Sequence, residues 1–361
     1  MTIFDIAHLR LHNQGIAPAV MPSPGDVVRR LGAIQAQDYL GTLWALGLRM
    51  QQAVEADIEQ AIANREIIRT WPMRGTLHFV APEDVRWMLA LLTPRIIAKT
   101  ARRHQQLELD EATFAQSEIV FAKMLQGGKS LTRPEIMTVL EQAGISTKGQ
   151  RGYHMLWRAA QNGLICFGPR QGKQDTFVWL NDWLPAGPSL NRAESLAELA
   201  RRYFTGHGPA TVQDFIWWSG LLTADARAAV EMVASELFEA VIDGQTYWLA
   251  PTEVGSKAPS PTVYLLPGFD EYLLGYKDRS AVLDPAHANK IAPGGNGMFN
   301  PTIVIDGQVV GTWKRTLRKK LAMIELQPFN PLSNAQSEAV AMAAEVYGAF
   351  LNRAVSLKFE I

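Results

Sequence analysis

The sequence predicts an α+β chain: three successive units of one helix–helix–hairpin type, then a mostly β region closed by a final helix. Three observations carry this. Helical apolar periodicity gives way three times to short alternating segments. Gly and Pro clusters, Gly127-Gly128 and the Pro- and Ser-rich Pro251–Pro261, punctuate the blocks. Beyond the second cluster, strand-like runs surround an Asp306-Gly307 turn. Helix, turn, helix, hairpin is the order of the winged-helix motif. The expected blocks are 1–127, 128–190, 191–254 and 255–361, with no sequence repetition visible between the units.

In the first block, Ile3–Gln14 has a helical pattern. Ser23-Pro24 then supplies an N-cap and a first-turn proline for a helix through Val27, Val28, Leu31 and Ile34. Glu55–Asn64 reads as a further helix. Ile67–Trp71 and Thr76–Val80 alternate as two strands joined at Pro72–Gly75, the wing of this unit. A helical region follows Pro82 to about Gln126, with a break expected near Thr93-Pro94.

The second unit has a helix at Leu131–Ala143 capped by Thr132, a helix at Gln150–Asn162, and a hairpin of Leu164–Phe167 with Phe177–Leu180. The third has helices at Glu194–Thr205, Val212–Ser219 and Ala224–Glu236, then Phe238–Val241 and Tyr247–Leu249 about Asp243-Gly244. Strands are expected at Val263–Leu266, Tyr272–Tyr276, Thr302–Ile305, Val309–Trp313 and Ala322–Leu326, and a last helix at Asn334–Leu351. Gly294-Gly295-Asn296-Gly297 lacks a following Lys-Ser/Thr and reads as a loop.

Composition narrows the function classes. The chain has 361 residues, 47% hydrophobic and 19% charged, as expected of a globular protein. Its single cysteine, Cys166, excludes an internal disulfide. Its start, MTIFDIAHLRLHNQG, lacks the pattern of a secretory signal, and no run approaches the roughly 18 apolar residues of a membrane span. These features predict a cytoplasmic protein. Lys+Arg 35 balances Asp+Glu 35, so any attraction for nucleic acid must come from local runs. The sharpest are Lys99–His104 and Trp313–Lys320, which also read as ordinary solvated faces.

The most informative residues are polar ones at the end of the second helix: Gln35-Ala36-Gln37 beside Asp38 and Tyr39. Two amides at i, i+2 next to an acid suggest groups held for chemistry; a helix end with satisfied amides is the alternative. On an ideal helix the two would point about 200° apart, so both face one cavity only if the helix ends there.

LGAIQAQDYLGTLWALGLR, TWPMRGTLHFVAPEDVRWML and LLPGFDEYLLGYKDRS, in that order, resemble the AlkZ-like (YcaQ-like) winged-helix DNA glycosylases. The resemblance runs from about Leu9 to about Phe329. The family's catalytic signature is Gln, an apolar residue, then Gln or Asp. Gln35-Ala36-Gln37 places the chain with the Gln-x-Gln subgroup, associated with crosslinked or bulky alkylated purines. The resemblance implies three tandem winged helices in a C shape, a small C-terminal β-barrel, and a concave surface for damaged double-stranded DNA. It also implies a monofunctional enzyme without cofactor or metal, expected to be monomeric and nucleoid-associated when bound to DNA.

N-glycosidic hydrolysis passes through an oxocarbenium-like transition state. A purine alkylated at N7 or N3 already carries the positive charge that makes it a leaving group. Such an enzyme needs a positioned water more than a strong acid. A glutamine carbonyl can orient water and its NH₂ can donate to sugar or phosphate oxygens. Gln37 is assigned the attacking water, Gln35 its orientation or that of the deoxyribose, and Asp38 electrostatic support. Arg74, Thr76 and His78 alternate on a predicted strand as supporting polar groups, or as a hydrogen-bonded strand that fixes the wing. Trp44 and Trp71 are expected in the core. His8 and His12, i and i+4 on a helix, lack a third metal ligand nearby.

Phosphate contacts are assigned to Arg102, Arg103, Arg151, Arg158, Lys314, Arg315, Arg318 and Lys319. Arg151 and Arg158 lie on the helix in the recognition position of the second unit. The Asp306-Gly307 hairpin is the expected element pressed into the duplex. Two other readings compete: a non-catalytic winged-helix DNA-binding regulator, and a scaffold or drug-binding protein that has lost activity. The glutamine motif and the Arg74, Thr76, His78 alternation favour the enzyme.

Overall fold

A computed structural model describes residues 3–252, 259–295 and 297–359. Most of the linker read at Pro251–Pro261, and Asn296 of the glycine loop, therefore lie outside the described residues. The chain divides into two compact units. One joins the chain up to Ile58 with the chain from Ala197 onward; the other is Glu59–Leu196. The cut at Ile58 falls inside the first of the four consecutive blocks read from the sequence.

The discontinuous unit holds helices Ile3–Asn13, Pro24–Leu31, Tyr39–Gly47, Val212–Ser219 and Thr223–Val233 and a C-terminal sheet. The Ser23 side chain accepts from the Asp26 N–H, as the N-cap reading requires. Ile6, Leu11, Leu266, Tyr272, Val282 and Val304 form one core cluster. Polar groups cross this core in pairs. The Arg49 guanidinium meets both Asp270 carboxylate oxygens at 2.8 and 2.9 Å and is buried with it. Arg10 stacks 3.6 Å over the Tyr276 ring and donates to the Pro209 carbonyl.

The C-terminal sheet has five strands in the order Ala354–Phe359, Leu321–Pro328, Gln308–Leu317, Thr302–Ile305, Val263–Leu266. It is open, which corrects the expected barrel. Its last strand, missed in the sequence, pairs parallel to Leu321–Pro328. Helix Asn334–Phe350 packs on both edge strands, so a helix, not strand closure, covers them.

The continuous unit holds the antiparallel pair Ile68–Met73 and Thr76–Val80, helices Val85–Gln106 and Glu111–Leu125, and strand Ser130–Thr132. Helices Arg133–Gln142 and Arg151–Gln161 follow, then the hairpin Ile165–Gln171 with Gln174–Trp179. Ser130–Thr132 pairs with Gln174–Trp179. Trp71, Phe121, Leu140, Leu156, Phe167 and Phe177 lie in its core.

Two expectations fail locally. The helix runs through Pro94, where Thr93 Oγ lies 2.8 Å from the Leu89 carbonyl. The chain turns instead at Leu107–Asp110, where Glu108 has φ 52 and Asp110 caps the next helix. The expected strand Tyr272–Tyr276 is a one-turn helix, Glu271–Leu274, because the Asp270 side chain caps the Tyr272 N–H.

Candidate active site around the glutamine motif

Helix Pro24–Leu31 ends before the glutamines, and the chain is extended at Ile34–Gln35. The 200° separation of a continuous helix therefore does not apply. Asp38 begins the next helix, Tyr39–Gly47, whose apolar face is buried through Leu43, Trp44 and Leu46. Trp44 is a core residue: its indole N–H donates to the Leu265 carbonyl at 2.7 Å, and its ring lies 5.0 Å from Tyr347.

Gln35 is 7% exposed and Gln37 is exposed. The main chain of Gln35 is held on both sides. Its N–H donates to Glu271 Oε1 at 3.1 Å, and its carbonyl accepts from Thr42 Oγ at 3.0 Å. Its side-chain Oε1 is buried with no hydrogen-bond partner among the described residues. A buried amide oxygen of this kind is costly unless water or substrate donates to it.

The Asp38 carboxylate pairs with Arg315 at 3.0 and 3.2 Å. Gly41 makes room for it, since a Cβ there would collide with Asp38 Oδ2. The structure thus brings together two residues assigned to different roles in the sequence, one catalytic support and one phosphate contact. Glu271 also joins the motif, and sequence reasoning missed it. The available signal was an acid pair, Asp270-Glu271, inside the apolar LLPGFDEYLL.

Arg74, Thr76 and His78 belong to the other compact unit. Arg74 is not on the strand; it occupies the two-residue turn with Gly75, both at positive φ (54° and 73°). The turn folds its guanidinium back to 3.3 Å from His78 Nε2. His78 is 0% exposed, with Nδ1 2.9 Å from the Thr76 carbonyl. That pairing puts the proton on Nδ1 and leaves Nε2 to accept from Arg74. Burial first, then the Arg74 charge, hold the imidazole pKa well below its ordinary value, while the Thr76 carbonyl opposes them.

The phosphate candidates separate into two groups. Arg151 donates to the Ser146, Leu107 and Glu108 carbonyls, and Arg158 pairs with Glu111 at 3.0 Å. Arg103 reaches Gln150 and Gln106 from an exposed position. Arg102, Lys314, Arg318 and Lys319 are exposed. The Asp306-Gly307 turn does not project, which corrects its assignment as the inserted element. Asp306 accepts from Ser260 and Thr262, and Gly307 is buried against Ala7, its carbonyl bonded to Tyr272. The exposed basic turn is the next one, Arg318–Lys320, between Gln308–Leu317 and Leu321–Pro328.

A family model described as DNA glycosylase AlkZ-like matches residues 28–350. An interstrand DNA cross-link repair glycosylase of Streptomyces sahachiroi is 29% identical over 333 residues, covering 84% of this chain and 85% of its own. The solved structure of Streptomyces sahachiroi DNA glycosylase AlkZ has the same fold, with a TM-score of 0.79 at 24% identity, over 99% of this chain and 100% of that one. The family match spans the glutamine motif, the Arg74–His78 hairpin and the Asp270-Glu271 segment alike, and the chain belongs to the AlkZ-like family of DNA glycosylases.

Proposed function

We propose that this glycosylase hydrolyses the N-glycosidic bond of alkylated purines cationic at N7 or N3, crosslinked ones included, with a water positioned by Gln35 and Gln37. The observation that carries the reading is the open, buried Oε1 of Gln35 next to exposed Gln37. It fits a carbonyl that accepts from water or from the sugar. The similarity to a relative described as an interstrand DNA cross-link repair glycosylase supports the substrate class. Damaged duplex DNA is the proposed partner and the monomer the acting form.

The order of elements supports the tandem winged-helix reading of the expected blocks. Helix, strand, two helices and a hairpin follow one another from Glu111 to Trp179. Helices and a hairpin recur from Arg192 to Leu249. Phosphate contacts fall best to Arg102, Lys314, Arg318 and Lys319. Arg74, Thr76 and a neutral His78 act as a hydrogen-bonded wing in support.

The test is base release from duplex carrying N7-methylguanine. Gln37→Ala, or Gln35→Ala, should lower the single-turnover rate by roughly 10²-fold, the scale of removing one transition-state hydrogen bond. Melting should barely change, because the fold uses the main chain of Gln35, which alanine keeps. Uracil and hypoxanthine should be retained, since their release needs a general acid. Wild-type rates in the double alanine variant would overturn the water-holding role.

A further inference from the structure

We propose that Glu271 is a positioning residue that sets the Gln-Ala-Gln segment for reaction; this rests on the water-holding reading of Gln35 and Gln37. Glu271 is 1% exposed, at the start of the one-turn helix Glu271–Leu274. A carboxylate so placed loses its hydration and needs donors in return. It has three, from three separate stretches of chain. Oε1 takes the Gln35 main-chain N–H at 3.1 Å. Oε2 takes the Trp218 indole N–H at 3.1 Å and faces His207 Nε2 at 3.3 Å.

The donors beyond Gln35 are themselves buried and packed. Trp218 and His207 are each 0% exposed, and the His207 ring stacks on Tyr203 with centroids 4.7 Å apart and planes 12° apart. The carboxylate therefore transmits a fixed position to one peptide group of the motif. Thr42 fixes the carbonyl on the other side of the same residue. With its main chain held on both sides, the Gln35 side chain starts from a set position, which is what a residue aiming a carbonyl at water requires.

Other contacts hold the same segment without touching Gln35. Trp44 is tied to Leu265, and Arg49 to Asp270. Packing alone would accept an apolar side chain at position 271. The charge is directed to the one main-chain donor that belongs to the motif.

The test is a double-mutant cycle in full-length protein, read as single-turnover release of N7-methylguanine from duplex. Glu271→Gln preserves volume, but its NH₂ faces a donor wherever it turns. It should lower the rate about 10- to 100-fold, the penalty of slight misplacement. Binding to the same duplex should stay within about twofold. In a Gln35→Ala background the same change should cost less than about threefold, because its route to the reaction is gone. Equal losses in both backgrounds, or a wild-type rate in Glu271→Gln, would overturn the positioning role alone. Equal rates for wild type and Gln35→Ala would overturn the water-holding reading and this one with it. If Glu271→Gln does not fold, Trp218→Phe removes one donor from the far side of the carboxylate. It should show the same non-additivity with a smaller loss, and additive losses there would overturn the proposal.

Discussion

His78 shows how a charged neighbour and burial combine at a single residue. Its folded pKa lies below the ordinary value of 6.5, whereas in the unfolded chain it titrates near that value. The unfolded state then binds the extra proton first. The stability contribution of neutral His78 is complete above about pH 6.5 and is lost as pH falls below it, by about 1.4 kcal/mol per pH unit. His104, lowered to about 4 chiefly by burial, acts in the same sense over 6.5 to 4. Denaturant melts at pH 7, 6 and 5 should therefore show falling stability. His78→Gln should be less stable at pH 7 and fall less steeply; parallel curves would refute the assignment. At this scale the sequence was readable where a residue type is odd for its place. Gln35, Gln37 and His78 stand out in apolar stretches. Glu271 is just as odd in its apolar run, but its role could not be read there, because its meaning lies in donors 53, 64 and 236 residues away.

Hairpins were the most legible elements, since an Asp-Gly pair demands two consecutive positive φ values, and Asp243-Gly244 and Asp306-Gly307 both supply them. Which hairpin stands proud was not legible, because exposure depends on what packs behind it. Ala7 and Tyr272 bury the Asp306-Gly307 turn, leaving Arg318–Lys320 outside. The Tyr272–Tyr276 segment misled for a related reason: its aromatic and aliphatic residues favour a strand, and a single cap from Asp270 outweighed them. The roles proposed here divide the basic hairpin in function. Lys314→Ala with Lys319→Ala should weaken duplex binding and leave the rate at saturating enzyme unchanged. Arg315→Ala releases Asp38, so it should slow excision more than it weakens binding. Anisotropy titrations with saturating single-turnover rates separate the two, and a reversed pattern would exclude the division.

At the scale of the whole molecule, a formal net charge of +0 leaves general attraction weak, and the proposed phosphate contacts lie in local basic runs. Lys99–His104 belongs to one compact unit and Trp313–Lys320 to the other. Alanine at Arg102 and Arg103, or at Lys314 and Lys319, should flatten log affinity against log salt by about 0.9 for each phosphate that the protein ceases to neutralise. Preference for damaged over intact duplex should hold, because phosphate contacts carry no sequence information. Salt-series titrations on intact duplex check this, and unchanged slopes in both variants would assign the runs to solvent. The mix of helices and strands and much of their order followed from periodicity along the chain; the helix Tyr39–Gly47 and the strand Ala354–Phe359 did not. The discontinuous unit did not, since nothing local in residues 3–58 names Asp270, Glu271 or Leu265 as partners. The open sheet was equally hidden, because its fifth strand pairs through a parallel register set by the helix before it.

That discontinuity has a consequence for synthesis. The glutamine segment leaves the ribosome 236 residues before the carboxylate that bonds to it. At about 5–20 residues per second it waits on the order of 10–50 s, with Leu43, Trp44 and Leu46 still lacking their final neighbours. The continuous unit Glu59–Leu196 emerges whole in the interval and has its own core to close on. Translation that stops anywhere before Glu271 leaves the motif without its anchor. On the positioning role proposed for Glu271, a chain abandoned before that residue should excise bases more slowly than the full-length protein.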